Sequence, residues 1–420
     1  MTRLLFDASR LLLRANRATP TGIDRVALAY GRWLLSRNDV DLAPVWGLGG
    51  ALAPMGRTRF ARLIDEAMPG VGAPRGESAA WRALKAALAA APDSGRPLRR
   101  DAWRRGANLR SAGWYAGALL RAPMLAGGLR AASAGSTYLN VCHFGLEQPD
   151  FLRRLAARRV RSVVMIHDLI PIRRPEFCGP GAAARHVVRM DAALEHAALI
   201  IANSEATASD IRDYAAETGR AAPPIQVAPL GVEDAFRPDV GAPTAERPYF
   251  VCVGTIEPRK NLAFLLTLWR RLAERRGEAT PRLVLVGRRG WEYEAVVDHL
   301  ERSPPVLRWV HEVSDLHDDE LAALVRGATA LLAPSLIEGF DFTTLEALSL
   351  GTPVLASDIP AHRELAIGAR LVDPTDGPAW LEAIEAAIDR PAPPGPFAPP
   401  RWDDHFALVG RAMGLNVPTV

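Results

Sequence analysis

Short apolar or β-branched runs alternate with stretches of helical periodicity along most of the chain. That alternation predicts βα units and a parallel sheet. In the first half, residues 3–6, 138–142, 162–166, 199–202 and 225–228 read as strands. Residues 22–35 read as a helix with Thr21 as its N-cap. A second strand series covers residues 249–253, 282–286, 328–333, 354–356 and 370–372. Between the series, the polar, proline-marked residues 236–248 read as a linker. Residues 391–400 are too proline-rich for the interior of a helix or strand. The pattern predicts an α/β protein of two similar-sized halves, and 420 residues suit two or three domains.

Composition narrows the class. Apolar residues are 49% and charged residues 23%, which excludes disordered and fibrous chains. A net charge of +4 is too mild to argue for nucleic acid, and none is expected as a partner. Cys142, Cys178 and Cys252 are too few and too scattered for a disulfide framework or a zinc site, and they suit a reducing cytoplasm. The best apolar run, residues 116–129, is broken by Arg121 and Pro123 and is short of the ~20 residues a span needs. Residues 6–10 interrupt the N-terminal apolar stretch before a signal peptide is complete. The expected location is cytoplasmic, either soluble or peripheral on the inner membrane face.

Charge is distributed unevenly. Residues 75–130 hold eleven basic and three acidic residues, with Trp81, Trp103, Trp114 and Tyr115 among them. Such a basic, aromatic segment suits an anionic membrane surface, or a helical insertion whose Trp residues pack on the domain.

Ligands of open parallel sheets bind beyond the carboxyl ends of strands, so residues just after each predicted strand matter most. Arg259 and Lys260 stand after the first strand of the second series, and Lys260 is one of only two lysines in the chain. Paired cations there suit a diphosphate. The stretch Glu338-Gly339-Phe340-Asp341-Phe342-Thr343-Thr344-Leu345-Glu346 carries two carboxylates eight residues apart. Gly339 admits close backbone approach, and a helix starting near Phe342 aims free N–H groups at an anion. Its glutamates suit sugar and ribose hydroxyls. Asp341 stands where an N-cap belongs, so its side chain is expected on the N–H of Thr343 or Thr344. As a cap alone, its replacement by Gly costs about a few tenths of a kcal/mol. Asp39-Val40-Asp41 has the form of a metal-binding D-x-D, but no second acidic cluster is near in sequence, and it reads as a solvated turn. No metal is expected.

Together these residues resemble the retaining GT-B glycosyltransferases of family 4. Glu338 to Glu346 matches the family's E-x7-E pattern, Gly351-Thr352-Pro353-Val354 follows it, and residues 253–261 match the diphosphate-binding turn. Residues 21–26, 167–171, 202–204 and 229–232 are also similar to the family. The resemblance implies two Rossmann-like domains facing across a central cleft: an acceptor domain at 1–240 carrying the basic insertion, and a donor domain at 241–395. A C-terminal segment at 396–420 returns to the first domain.

It implies transfer of a hexose from a nucleoside diphosphate sugar with retention, without metal or other cofactor. Arg259 and Lys260 bind the diphosphate, Glu338 the donor sugar and Glu346 the ribose, with Gly254, Gly339, Phe340, Asp341 and Thr344 around them. Arg288, Val313 and Leu316 lie near the base. Gly22 brings backbone to the donor phosphate or the acceptor, His167 faces the donor sugar, and His143 and Asp168 serve the sugar or acceptor. The chain departs from the family at Asp341, where glycine is usual, and at Thr343, where proline is usual. Residues 167–172 and 175–177 look like bacterial mannosyltransferases of surface polysaccharide assembly. GDP-mannose is therefore the favoured donor, with a saccharide or lipid-linked acceptor. UDP-sugars, a GT-B epimerase and a weakened non-enzymatic partner in a polysaccharide complex remain alternatives.

Overall fold

The computed structural model describes residues 2–14, 21–48, 51–67, 76–91, 129, 132–148, 150–236, 239, 241–390 and 395–416. The chain divides into two compact units. Unit 1 holds residues 1–69, 105–231 and 400–420; unit 2 holds 70–104 and 232–399. Both are Rossmann-like, and the fold is GT-B.

Unit 1 is built on a sheet of seven strands in the order β3-β2-β1-β4-β5-β6-β7. These are β1 (Thr2–Asp7), β2 (Val40–Leu48), β3 (Ala51–Pro54), β4 (Thr137–Asn140), β5 (Arg161–Ile166), β6 (Leu199–Ala202) and β7 (Ile225–Val227). All neighbours pair in parallel except β2 with β3. The sequence pattern missed β2 and β3. Pro44 and Gly47 interrupt β2, and four residues carry little periodicity. The Asp39–Asp41 stretch therefore does not lie wholly in a turn. Val40 and Asp41 open β2, where Asp41 pairs with Arg3 at 3.3 Å; Asp39 takes Arg37 Nε at 2.8 Å.

The helix Trp402–Met413 closes unit 1. Its His405 is fully buried, with Nδ1 3.0 Å from the Ala228 carbonyl and Nε2 2.8 Å from the Tyr30 hydroxyl. Nδ1 therefore donates and Nε2 accepts. Phe406 stacks on Trp33, with ring centroids 4.6 Å apart. Gly231 has no alternative here, because a Cβ would stand 2.2 Å from the Trp402 backbone nitrogen.

Unit 2 is a six-stranded parallel sheet in the order β10-β9-β8-β11-β12-β13. Its strands are β8 (Tyr249–Val253), β9 (Arg282–Val286), β10 (Val310–Val313), β11 (Ala330–Ala333), β12 (Val354–Ser357) and β13 (Arg370–Val372). The edge strand β10 went unseen in the pattern, its middle being the polar pair His311-Glu312. Strand order reverses between β8 and β11, so loops leaving their carboxyl ends diverge and open a crevice.

The helix Ala79–Ala89 corrects the expected domain assignment, because it belongs to unit 2 and not to an insertion in the first domain. Trp81, Leu84 and Leu88 pack into a core with Tyr249, Val251 and Val284. Glu320 accepts from the Ser78 N–H at 2.6 Å and its hydroxyl at 2.8 Å, while buried Arg282 donates to the carbonyls of Ala87 and Ala90. A cation at the helix's last carbonyls meets the negative end of its dipole. Residues 232–236 also pass to unit 2, because Phe236 is buried in that core. Most of the remaining basic segment, including Trp103, Trp114 and Tyr115, lies outside the described residues. Among the described residues, no helix is long and apolar enough to cross a membrane.

Leu84 is fully buried against unit 2. Leu84→Ala should therefore cost about 2–5 kcal/mol, read from urea denaturation. An unchanged midpoint would detach the helix from that core.

Candidate functional site

At the carboxyl end of β8 the chain turns through Gly254, whose φ is 151°. A Cβ there would stand 3.0 Å from Lys260 Cε, so the missing side chain makes room for the lysine to fold back over the turn. Pro258–Lys260 forms a short 3-10 turn, and Asn261 takes the left-handed conformation before the helix Leu262–Arg276. The loop leaving β11 is tied to this turn by a 2.8 Å bond from the Leu336 N–H to the Arg259 carbonyl. The two loops that diverge at the switch point are therefore held in register by backbone.

Glu338 ends on the pair of cations. Its side chain is 5% exposed, with Oε1 2.6 Å from Lys260 Nζ and Oε2 bonded to Arg259 Nη1. Arg259 Nε also meets Glu257 at 2.6 Å. Burial opposes ionisation of Glu338, but Arg259 and Lys260 overcome it and hold its pKa below the usual carboxylate value. For Lys260, burial opposes the charge, while Glu338 and Asp341 raise its pKa. The charges are thus fixed and largely dry, which strengthens their action on an incoming anion.

Asp341 is the N-cap of the helix Phe342–Ser349 and accepts from the Thr343 N–H at 3.1 Å and hydroxyl at 2.8 Å. The sequence expectation of a structural cap is met. One partner was not foreseen: His362 Nε2 lies 3.2 Å from the other Asp341 oxygen, and its Nδ1 lies 2.8 Å from the Ser357 carbonyl. Burial would raise the Asp341 pKa; Lys260, His362 and Thr343 hold it well below the usual carboxylate range. Burial disfavours the His362 imidazolium, yet Asp341 and the Ser357 carbonyl raise its pKa above the usual 6.5. No sequence signal marked His362, because its role depends on the β12 end reaching the β11 loop.

Gly254, Arg259, Lys260, Glu338 and Asp341 thus come together. Gly339 is buried beside them in sequence, and Thr344 is buried with its hydroxyl donating to the Asp341 carbonyl at 2.9 Å. Phe340 packs on Phe342 with centroids 5.0 Å apart. Glu346 is buried on the helix that Asp341 caps. Arg288 follows β9 and bonds Asp315 through Nε at 3.0 Å. Val313 and Leu316 are packed into the core, which leaves their backbone but not their side chains for a ligand.

The remaining sequence-derived residues lie in unit 1. Gly22 is exposed and opens the helix Gly22–Ser36. Before it, the Thr21 N–H and hydroxyl both donate to Asp24 at 2.8 Å, and Asp24 also pairs with Arg10 at 2.6 Å and Arg14 at 3.1 Å. His143, His167 and His186 form a buried cluster, with ring centroids 5.1 and 5.6 Å from His143 to the other two. His167 Nε2 donates to the Val141 carbonyl at 2.8 Å, and His186 Nε2 to the Asp168 carbonyl at 3.0 Å. Asp168 accepts from the Ile170 N–H at 3.0 Å. Burial lowers the pKa of all three histidines below the usual imidazole value, which favours the uncharged ring. Among the described residues, no group of three or more His, Cys, Asp or Glu is placed to hold a metal ion.

The His362 pair changes what Asp341 is worth. Asp341→Gly removes a cap and also leaves a buried His N–H without an acceptor, which costs about 1–3 kcal/mol rather than a few tenths. Urea denaturation of the variant measures it, and a loss near zero would reduce Asp341 to a cap. The pair also sets a pH dependence. A raised folded-state pKa means the His362 contribution is complete below about pH 6.5 and is lost as pH rises through the folded value. Thermal midpoints between pH 6 and 9 should fall more steeply for the wild type than for His362→Gln. Parallel profiles would contradict this.

Residues 247–390 match the glycosyl transferases group 1 family. Over 275 residues the chain is 30% identical to the O-antigen chain mannosyltransferase B of Escherichia coli, covering 64% of this chain and 68% of that protein. Over 236 residues it is 30% identical to the serotype-specific mannosyltransferase WbdA of Escherichia coli, which covers 52% of this chain. The match spans only 29% of WbdA, well under half of that relative's length. In structure, the chain is similar to a sucrose-phosphate synthase of Thermosynechococcus elongatus, with a TM-score of 0.58 and 16% identity. That likeness covers 98% of this chain and 94% of the synthase. With residues 247–390 matching its model and a relative 30% identical matched over two thirds of its length, the chain belongs to the glycosyl transferases group 1 family.

Proposed function

We propose that the protein is a hexosyltransferase that moves mannose from GDP-mannose to a saccharide or lipid-linked acceptor in surface polysaccharide assembly. The observation that carries this reading is the buried Arg259–Lys260–Glu338 clamp at the switch point of the unit 2 sheet. Two cations fixed where backbone N–H groups of a capped helix also converge suit a sugar diphosphate. Mannose is favoured because both relatives described above are mannosyltransferases.

In the reaction, the bond between the sugar anomeric carbon and the diphosphate oxygen breaks. The acceptor hydroxyl oxygen bonds that carbon from the same face, giving retention, and its proton passes to the departing phosphate. Arg259 and Lys260 stabilise the negative charge that grows on the diphosphate. Glu338 keeps both cations aligned and accepts from the sugar hydroxyls, while Glu346 serves the ribose. These steps need no metal. The basic residues of the 75–130 segment that lie beyond the packed helix Ala79–Ala89 hold the enzyme at an anionic inner membrane face, where a lipid-linked acceptor resides.

Lys260→Ala and Glu338→Ala should each lower mannosyl transfer by about 100-fold or more, as losses of fixed transition-state electrostatics do. Wild-type rates in both would remove unit 2 from the chemistry. Among nucleotide sugars, GDP-mannose at 100 times its Kd should stabilise the protein by about 2.7 kcal/mol. Stabilisation by UDP-sugars alone would overturn the donor. Replacing Arg99, Arg100, Arg104 and Arg105 by Ser should weaken binding to anionic vesicles at low salt, and unchanged binding would return the segment to a packed insertion.

A further inference from the structure

The donor site contains a third charged device. His362 stands on the helix Pro360–Leu365 and is 1% exposed, so its ring nitrogens answer to protein groups. Nδ1 faces the Ser357 backbone carbonyl at 2.8 Å, and Nε2 faces an Asp341 carboxylate oxygen at 3.2 Å. A carbonyl has no proton to give, and an ionised carboxylate has none either. A neutral ring carries one N–H and would turn a lone pair toward one of these two acceptors. The geometry is satisfied when both nitrogens carry protons.

The surrounding charges give that imidazolium a purpose. Asp341 and Glu338 both act on Lys260, and both also act on His362. Arg259 is shared by Glu338 and Glu257. Glu257, Glu338 and Asp341 are therefore matched against Arg259, Lys260 and His362. With a neutral ring the set has one negative charge in excess, and Lys260 must answer Asp341 while sharing Glu338 with Arg259. That leaves less positive potential for an incoming diphosphate. Arg363 on the same helix is exposed and engaged with Asp358, so it does not substitute.

We propose that His362 is a positioning residue of the nucleotide-sugar site: a buried imidazolium that fixes Asp341 as the helix cap and frees Lys260 to meet the donor diphosphate. This deepens the donor reading above and rests on it. It also explains how a carboxylate is tolerated at position 341, where the resembled family has glycine. The acid and its counter-cation act as one unit, and neither is expected to work without the other.

Calorimetric titration with GDP between pH 5.5 and 9 tests the idea on wild type, His362→Gln, Asp341→Asn and the double variant. The GDP phosphate titrates in the same range, so each affinity is read against the double variant at the same pH. Relative to that reference, wild-type affinity should fall about tenfold as the ring loses its proton, and His362→Gln should be weaker by about tenfold at low pH, the equivalent of one pKa unit of coupling. The double variant should recover to within about threefold of wild type at low pH, because Asn keeps the cap and removes the charge. Wild-type affinity and pH profile in His362→Gln would overturn the proposal, as would a double variant no better than His362→Gln.

Should His362→Gln fail to fold, nitrogen NMR of the wild-type ring decides. Two protonated ring nitrogens at pH 6 support the proposal, and a single one sinks it. Wild type that binds neither GDP nor UDP would overturn the donor reading itself, an outcome distinct from a ring found neutral.

Discussion

Everything at the candidate site depends on holding two cations together in a place that is almost dry. Arg259 and Lys260 are adjacent in sequence and would repel one another if left alone. Glu338 resolves this by taking one with each oxygen. Because the carboxylate is buried, removing it leaves Lys260 in the dry site without its salt-bridge partner and Arg259 without one of its carboxylates, not merely a weaker contact. The pair can stand there only because the turn after β8 and the loop after β11 are tied by backbone and because Gly254 leaves space for the lysine stem. The electrostatics thus rest on backbone geometry, which in turn rests on the reversal of strand order between β8 and β11.

The same dependence shows how much the sequence disclosed. Lys260 stood out because the chain uses arginine almost throughout, and Glu338 and Glu346 because their spacing brackets a helix start. Asp341 could be placed as a cap because capping is local: the bond spans two residues. The parallel strands of both halves were visible wherever an apolar run was unbroken. β2 carries Pro44 and Gly47, and β10 carries His311-Glu312, so both hid from a reading based on periodicity.

What stayed invisible is long-range. Nothing near His362 in sequence signals a charge partner 21 residues away. The helix Ala79–Ala89 is helical by its own pattern, but the unit it serves is decided by Glu320, Arg282 and the core around Tyr249, all more than 150 residues later. Val313 and Leu316 were placed near the base by the family resemblance alone, on or just after a strand that the apolar pattern did not reveal. Their side chains went to the core because apolar groups at a strand's end are buried whenever a packed helix is there to receive them.

Asp341 shows why local and distant readings must be combined. Taken alone, it is a helix cap of modest worth. Taken with Lys260, it is a second carboxylate competing for the cation that a diphosphate needs. His362 reconciles the two by supplying a proton-borne charge to the acid, while its other nitrogen anchors to the β12 end. A glycine at this position needs no such partner, so changing residue 341 demands a compensating residue elsewhere in the fold. Substitutions at 341 and 362 should therefore be coupled far more strongly than their separation in sequence suggests, because they act on one shared charge.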